Sequence, residues 1–310
     1  MESSRNLFEV HDNILELVLH LLNYSSTGSF YEDITKIKEW IIKQPHFPEV
    51  MADKKIENFL ILNKGSVERC KEKIENYYRV RTHLTDIFGN INPKLPYMEY
   101  MLKAMYFVPL PKLTKDFYRV LYHKIRDTSL TKHFDFDDAV RLLVNIQELR
   151  LTEDITYGDI LIMDGQNTPS SLLFKVKPTT MYNALVVIYK RVFSNRIKAV
   201  YIVNAPSSAE WFLNIIKNTI KPKIFERIHV CENWNTIFEQ IGEEVLPRDC
   251  GGKEKSLEEL QDILRQEFKQ RQEYFDQLDA LRVNEELRPQ KLKDGDMFGF
   301  SGNFKKLEID

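Results

Sequence analysis

Two short runs constrain the fold of this chain most: Gly158 to Asp164, GDILIMD, and Ala199 to Val203, AVYIV. Each is almost wholly apolar and too short for a buried helix. A strand covered on both faces reads this way, whereas a half-exposed strand alternates polar and apolar positions. Between them, Thr179 to Phe193 carries apolar residues at helical spacing. Asp135 is placed to cap another helix, Phe136 to Leu149. Phe117 to Lys124, FYRVLYHK, reads as a strand from its aromatic and β-branched content, and Arg227 to Val230 as a further one. Strands alternating with helices predict an α/β fold: a mainly parallel sheet with helices packed against it. Many enzymes share that plan, so function requires a site argument.

Residues 1–90 carry no strand signal and read as an all-helical module. Helical spacing marks Leu7 to Leu22, through Ile14, Leu15, Leu17, Val18, Leu21 and Leu22. A loop at Ser25 to Ser29 precedes a helix from Asp33 to Lys43. Asp53 is read as the cap of a third helix ending at Leu62, and Ser66 as the cap of a fourth, Val67 to Leu84. Ile91 to Leu113, punctuated by Pro93, Pro96, Pro109 and Pro111, reads as linker and loop. Ser256 to Leu287 reads as one long helix stopped by Pro289, followed by a polar tail with glycines. The expected division is a helical module at 1–90, an α/β domain at 91–255, and a helix with a polar tail at 256–310.

Composition narrows the function classes. A net charge of -2 over 310 residues argues against nucleic acid as a partner. No apolar run reaches the roughly 18 residues of a membrane span. Glu2, Glu9, Asp12 and Glu16 interrupt any secretory pattern. The cysteines, Cys70, Cys231 and Cys250, are odd in number and far apart, as expected of reduced thiols in the cytoplasm. No G-x-S-x-G or phosphate loop occurs, and Gly295, Gly299 and Gly302 lack dinucleotide spacing. His229 and Cys231 stand two apart with no second pair to complete a metal site. The expectation is a protein that is not an enzyme, with no catalytic residue, metal or cofactor.

The stretch Asn195 to Gly252 narrows the reading further. A strand-like run ends at Asn204-Ala205-Pro206, an amphipathic segment and a second short strand follow, and the stretch closes on Leu246-Pro247-Arg248-Asp249-Cys250-Gly251-Gly252. That order resembles the carboxy-terminal half of a CRAL-TRIO lipid-binding domain. Phe59 to Gly65, with Asn76-Tyr77-Tyr78 and Arg81, resembles the helical module that precedes such domains. Two departures stand out: Ile61 and Asn63 occupy places where the family carries arginine, and Cys250 stands where an aromatic is usual. The resemblance implies a monomeric intracellular carrier. It would hold one hydrophobic small molecule, tocopherol-, retinoid- or isoprenoid-like, and exchange it at phosphoinositide-containing membranes by transient peripheral contact.

Candidate pocket residues are Leu143, Asn145, Ile146 and Leu149 on the helix after Asp135, and Ile162 on the first buried strand. Leu185, Ile188 and Tyr189 follow on the next helix, then Val200 and Ile202 on the second buried strand. Phe212, Ile215, Ile216 and Ile220 form the apolar side of Trp211 to Phe225, which the resemblance makes a mobile gate with Pro222 as its hinge. Arg196 and Lys198 are two apart on an extended stretch, and Lys223 and Arg227 four apart at helical spacing. The resemblance makes these four a phosphoinositide-binding patch. Two rivals remain from the residues alone: an adaptor using the same fold to bind proteins, and an α/β enzyme of unidentified reaction.

Overall fold

The computed structural model describes residues 7–9 and 12–289. Gly295, Gly299, Gly302 and the rest of the polar tail lie outside the described residues.

The helical module comprises α1 (Ile14–Leu21), α2 (Thr27–Ile42), α3 (Asp53–Leu62), α4 (Val67–His83) and the single turn α5 (Thr85–Phe88). The Ser25 to Ser29 stretch, expected as a loop, instead opens α2: the Ser26 side chain accepts from the Ser29 amide and caps the helix. Asp53 is the first residue of α3 and not its cap, which is Ala52; its carboxylate suits the positive end of the helix dipole. Ser66 caps α4 by accepting from the Arg69 amide. Phe30 and Ile37 of α2, Ile56 and Phe59 of α3, and Cys70 and Ile74 of α4 are completely buried together.

The expected linker is structured. It contains α6 (Pro96–Ala104) and β1 (Met105–Leu113). Pro96 occupies the first turn of α6, where its missing amide proton costs nothing. Pro109 and Pro111 lie in β1, which is an edge strand and pairs on one side only; the register shifts between Pro109 and Leu113. The prolines therefore mark a helix start and a sheet edge, both tolerant of a lost donor.

The sheet continues with β2 (Tyr118–Ile125), β3 (Gly158–Asp164), β4 (Ile197–Val203) and β5 (Ile228–Cys231), in the spatial order β1-β2-β3-β4-β5. β1 and β2 are antiparallel, and β2 to β5 are parallel. The crossovers are α7 (Phe136–Glu153), then α8 (Ser170–Leu173), α9 (Pro178–Tyr182) and a π-helix (Asn183–Val192), then α10 (Ala209–Thr219) and α11 (Pro222–Phe225). The order advances in one direction, so right-handed crossovers place these helices on one face of the sheet. The opposite face is covered by α12 (Asn235–Ile241) and α13 (Leu257–Gln270), where Tyr122 stacks on Trp234 at 6.2 Å and Gln261 donates to the carbonyls of Leu102 and Met105.

The long carboxy-terminal helix expected from the sequence is broken. α13 ends before Arg271 (φ -102, ψ 23), and α14 (Gln272–Ala280) follows, then one 3-10 turn, Glu285–Leu287. The break lets Phe268 and Phe275 meet edge to face at 5.6 Å. It also brings the Tyr274 hydroxyl within 2.9 Å of Glu148 on α7. Glu148 is wholly buried and receives Arg81 of α4 and, at 2.9 Å, the Tyr77 hydroxyl. One carboxylate thus joins the helical module, the α/β domain and α14.

Candidate ligand cavity

A cavity of about 240 Å³ lies between the sheet and its crossover helices. Phe107 of β1, His123 of β2, Leu161 and Met163 of β3, and Val200 and Ile202 of β4 form its floor. Val140 and Leu143 of α7 form one wall, and Leu185 and Tyr189 of the π-helix another. Phe212 and Ile216 of α10, with Ile220 after it, form the roof. The site is positioned by strand parity: Leu161 pairs with Val200 and Met163 with Ile202, so alternate residues of adjacent strands face the same side.

Of the sequence candidates, Leu143, Leu185, Tyr189, Val200, Ile202, Phe212, Ile216 and Ile220 line this cavity. The others do not. Ile162 is buried on the opposite face of β3, because Leu161 and Met163 hold the cavity side. Asn145 donates to the Ile91 carbonyl and lies 3.9 Å from Met98 Sδ, in the packing between α7 and α6. Ile146 and Leu149 are core residues: the lining face of α7 runs through Phe136, Ala139, Val140 and Leu143. Farther along that face stand Gln147 and Arg150, bound with Asn195 and Asp159 in a polar cluster, and the cavity ends there. Ile188 is turned into the core because the wider π turn brings Leu185 and Tyr189 onto the lining face instead. Ile215 is half-buried on the flank of α10.

Sequence reasoning missed Phe107 and Met105, which lay in the expected linker, and His123. The alternation of FYRVLYHK carried the signal for His123, since it pairs across the sheet from Phe107 and Met163. The two rings lie 3.8 Å apart between centroids. Burial drives the His123 pKa down from 6.5 to about 3, and its Nε2 has no hydrogen-bond partner.

The four predicted basic residues are not equivalent. Lys198 and Lys223 are exposed. The Arg196 guanidinium lies 4.1 Å from the centre of the Tyr157 ring and donates to the Ile61 carbonyl at 3.2 Å; burial lowers its pKa. Arg227 donates to the Ile197 carbonyl. Outside the roof, Phe174 and Trp211 meet edge to face at 5.0 Å while 57% and 37% exposed. Burial also pushes the Cys250 thiol up to about 12, away from thiolate chemistry. Among the described residues there is no His, Cys, Asp and Glu group suited to a metal ion, and no helix long and apolar enough to cross a membrane.

An α/β domain wound in one direction, with an apolar chamber between sheet and crossovers, defines a small-molecule-binding architecture. The family model described as the CRAL/TRIO domain matches residues 99–252, and one described as a Pinta-like UBA domain matches residues 29–98. The chain carries a CRAL/TRIO domain behind a helical module. It is 23% identical over 224 residues to an alpha-tocopherol transfer protein-like protein of Mus musculus, across 71% of this chain and 64% of the relative. The human protein of the same description is 22% identical over the same extent. The match thus spans less than two thirds of these relatives. A crystal structure of Sfh5 superposes with a TM-score of 0.46 and 11% identity, covering 80% of this chain and 99% of that one.

Proposed function

We propose that this protein is a carrier, active in the cytosol as a monomer. It holds one hydrophobic molecule of tocopherol, retinoid or isoprenoid type in the cavity and exchanges it at phosphoinositide-containing membranes. The observation that carries this reading is the cavity itself, with its almost wholly apolar lining. Each 100 Å² of ligand hydrocarbon removed from water contributes about 2.5 kcal/mol, which suits such a chamber to a lipid. The names of the similar proteins favour the tocopherol class.

Helix α10 serves as the gate. Its inner side covers the ligand with Phe212 and Ile216, and its end is marked by extended residues before Pro222. Trp211 and Phe174, already exposed, insert into the lipid boundary. Lys198 and Lys223 contribute to phosphate contact, while Arg196 and Arg227 must release backbone carbonyls to join them.

The test is transfer of a fluorescent tocopherol between vesicles with and without phosphatidylinositol 4,5-bisphosphate. Transfer faster than spontaneous exchange, accelerated by the phosphoinositide, is expected. Absence of stoichiometric binding to tocopherol, retinaldehyde and phospholipid, followed by native mass spectrometry, overturns the carrier reading in favour of a protein-binding adaptor.

A further inference from the structure

Two lining residues of the cavity, His123 and Tyr189, carry a buried polar atom without a partner. Lys124 and Asp164 also line it, but they pair with each other at 3.1 Å, and Asp164 further accepts from Tyr122 and Asn204. Thr180 donates to Asp137 at 2.6 Å. Lys124, Asp164 and Thr180 are thus occupied by the protein itself. The Tyr189 hydroxyl has no hydrogen-bond partner either, but it lies beside Gln147 and the Arg150–Asp159 pair, at the polar end of the chamber. The His123 ring lines the chamber, and its Nε2 is buried without a partner. His123 is half-buried and lines the chamber, and the surface it retains lies elsewhere on the residue than at Nε2. A buried, unsatisfied ring nitrogen is costly, and an apolar residue of similar size would remove the cost. Phe107, its neighbour across the strands, would pack against an aromatic ring there as it does against the imidazole, at 3.8 Å between centroids.

We propose that His123 is the hydrogen-bonding anchor of the cavity, and that the ligand is an uncharged lipid bearing a hydroxyl or carbonyl group where it passes β1 and β2. This deepens the carrier reading and rests on it. The imidazole is neutral across the physiological range because burial lowers its pKa with no countercharge acting on it. A neutral imidazole offers one donor and one acceptor, the complement of an alcohol, aldehyde or ketone. An anionic head would meet Lys124 already neutralised by Asp164 and no other cation on the lining, so its charge would be buried unpaired. A pure hydrocarbon would leave the imidazole unsatisfied.

A matched isoprenoid series tests the proposal. Phytol, phytane and phytanic acid share one branched skeleton and differ at the head. Each is delivered from cyclodextrin to the full-length protein at neutral pH, and affinities are compared by competition in native mass spectrometry. Phytol is expected to bind about 10-fold more tightly than phytane, the worth of one good hydrogen bond, and the acid no better than phytane. His123→Phe should bring phytol down to the level of phytane and leave phytane unchanged or tighter, while His123→Gln keeps part of the preference. Removing an unsatisfied buried nitrogen should not lower the melting temperature; should the Phe ring prevent folding, His123→Leu makes the same comparison. Equal binding of phytol and phytane to the native protein overturns the proposal, as does tightest binding of the acid, or a preference that survives loss of the imidazole. Each of those results leaves the carrier reading standing. Failure of all three compounds to bind overturns this proposal, and the carrier reading then stands or falls on the tocopherol and retinaldehyde measurement.

Discussion

At the scale of single residues, the wholly buried carboxylate of Glu148 is sustained by several donors. Glu148 accepts from Arg81, Tyr77 and Tyr274, and Lys55 donates to the Tyr77 hydroxyl at 3.1 Å. Glu148→Ala strands the wholly buried Arg81 guanidinium. Urea unfolding should show a loss of about 3–5 kcal/mol, and the double variant Arg81→Met, Glu148→Leu should recover most of it. A loss within the ordinary surface range would mean that water reaches the pair. His123 makes a prediction of opposite character. Its pKa is about 3 folded against 6.5 as the reference value. Above pH 6.5 it is neutral in both states and adds no pH dependence. Between 6.5 and about 3 the unfolded chain binds a proton that the folded protein refuses. Stability therefore falls as the pH is lowered through that window, by up to about 1.4 kcal/mol per unit. His123→Phe should flatten this part of the curve in melts from pH 7 to 4.5; an unchanged curve would assign the acid sensitivity elsewhere. Gly252 has a steric role: a Cβ there would stand 2.0 Å from the Leu246 carbonyl oxygen. Gly252→Ala should cost more stability than Gly242→Ala, where the φ of +93 imposes strain but nothing lies within 4 Å. Equal losses in denaturant titrations would show that the close approach relaxes easily.

At the scale of elements, the roof is the weakly held part of the domain. Phe212 and Ile216 of α10 pack with Leu173 and Val176 in a small cluster separate from the main core. Strands β2 to β4 contribute their buried residues to that main core. Local openings draw on regions with fewer buried contacts. Hydrogen exchange should therefore show α10 amides exchanging through a sub-global opening well before those of β3 and β4; protection of α10 equal to that of the central strands would remove the gate. The exposed Trp211 tests the outer side of the same helix. Trp211→Asp should reduce binding to phospholipid vesicles while leaving the fold intact, read by sedimentation and circular dichroism. The π-helix acts differently, by changing which residues reach the chamber. Its extra residue per turn is invisible to a periodicity argument built on 3.6, which is why Ile188 looked equivalent to Leu185 and Tyr189.

At the scale of the whole molecule, the pieces that look separate along the chain are joined by long-range polar contacts. Asn92 donates to Asp276 and Asp279 of α14, Arg288 reaches Glu75 of α4, and Asn58 of α3 donates to the Leu151 carbonyl at the end of α7. Removing residues 256–310 would uncover the sheet face that α13 covers, free the Leu102 and Met105 carbonyls from Gln261, and strip Tyr274 from Glu148. The truncated chain should therefore lose stability in both the helical module and the α/β domain, seen as one lowered transition in calorimetry. Retention of the full-length melting temperature would show that the carboxy-terminal helices are dispensable to the fold.

The amino-acid sequence by itself determined the kinds of element and their order: buried strands at GDILIMD and AVYIV, caps at Ser66 and Asp135, the amphipathic stretch after Trp211, and so the α/β class. These are local properties, carried by alternation, helical period and side-chain chemistry within a few residues. Tertiary structure decided the rest. On a strand apolar on both sides, parity cannot say which side meets a cavity and which a core, so Ile162 and Leu161 are distinguished only by where the crossovers pass. The prolines of β1 became legible once the sheet showed an edge, and the break at Arg271 once Tyr274 had Glu148 to reach. The unpartnered imidazole of His123 became visible only when every neighbour had been placed, because a missing hydrogen bond is a property of the whole surroundings.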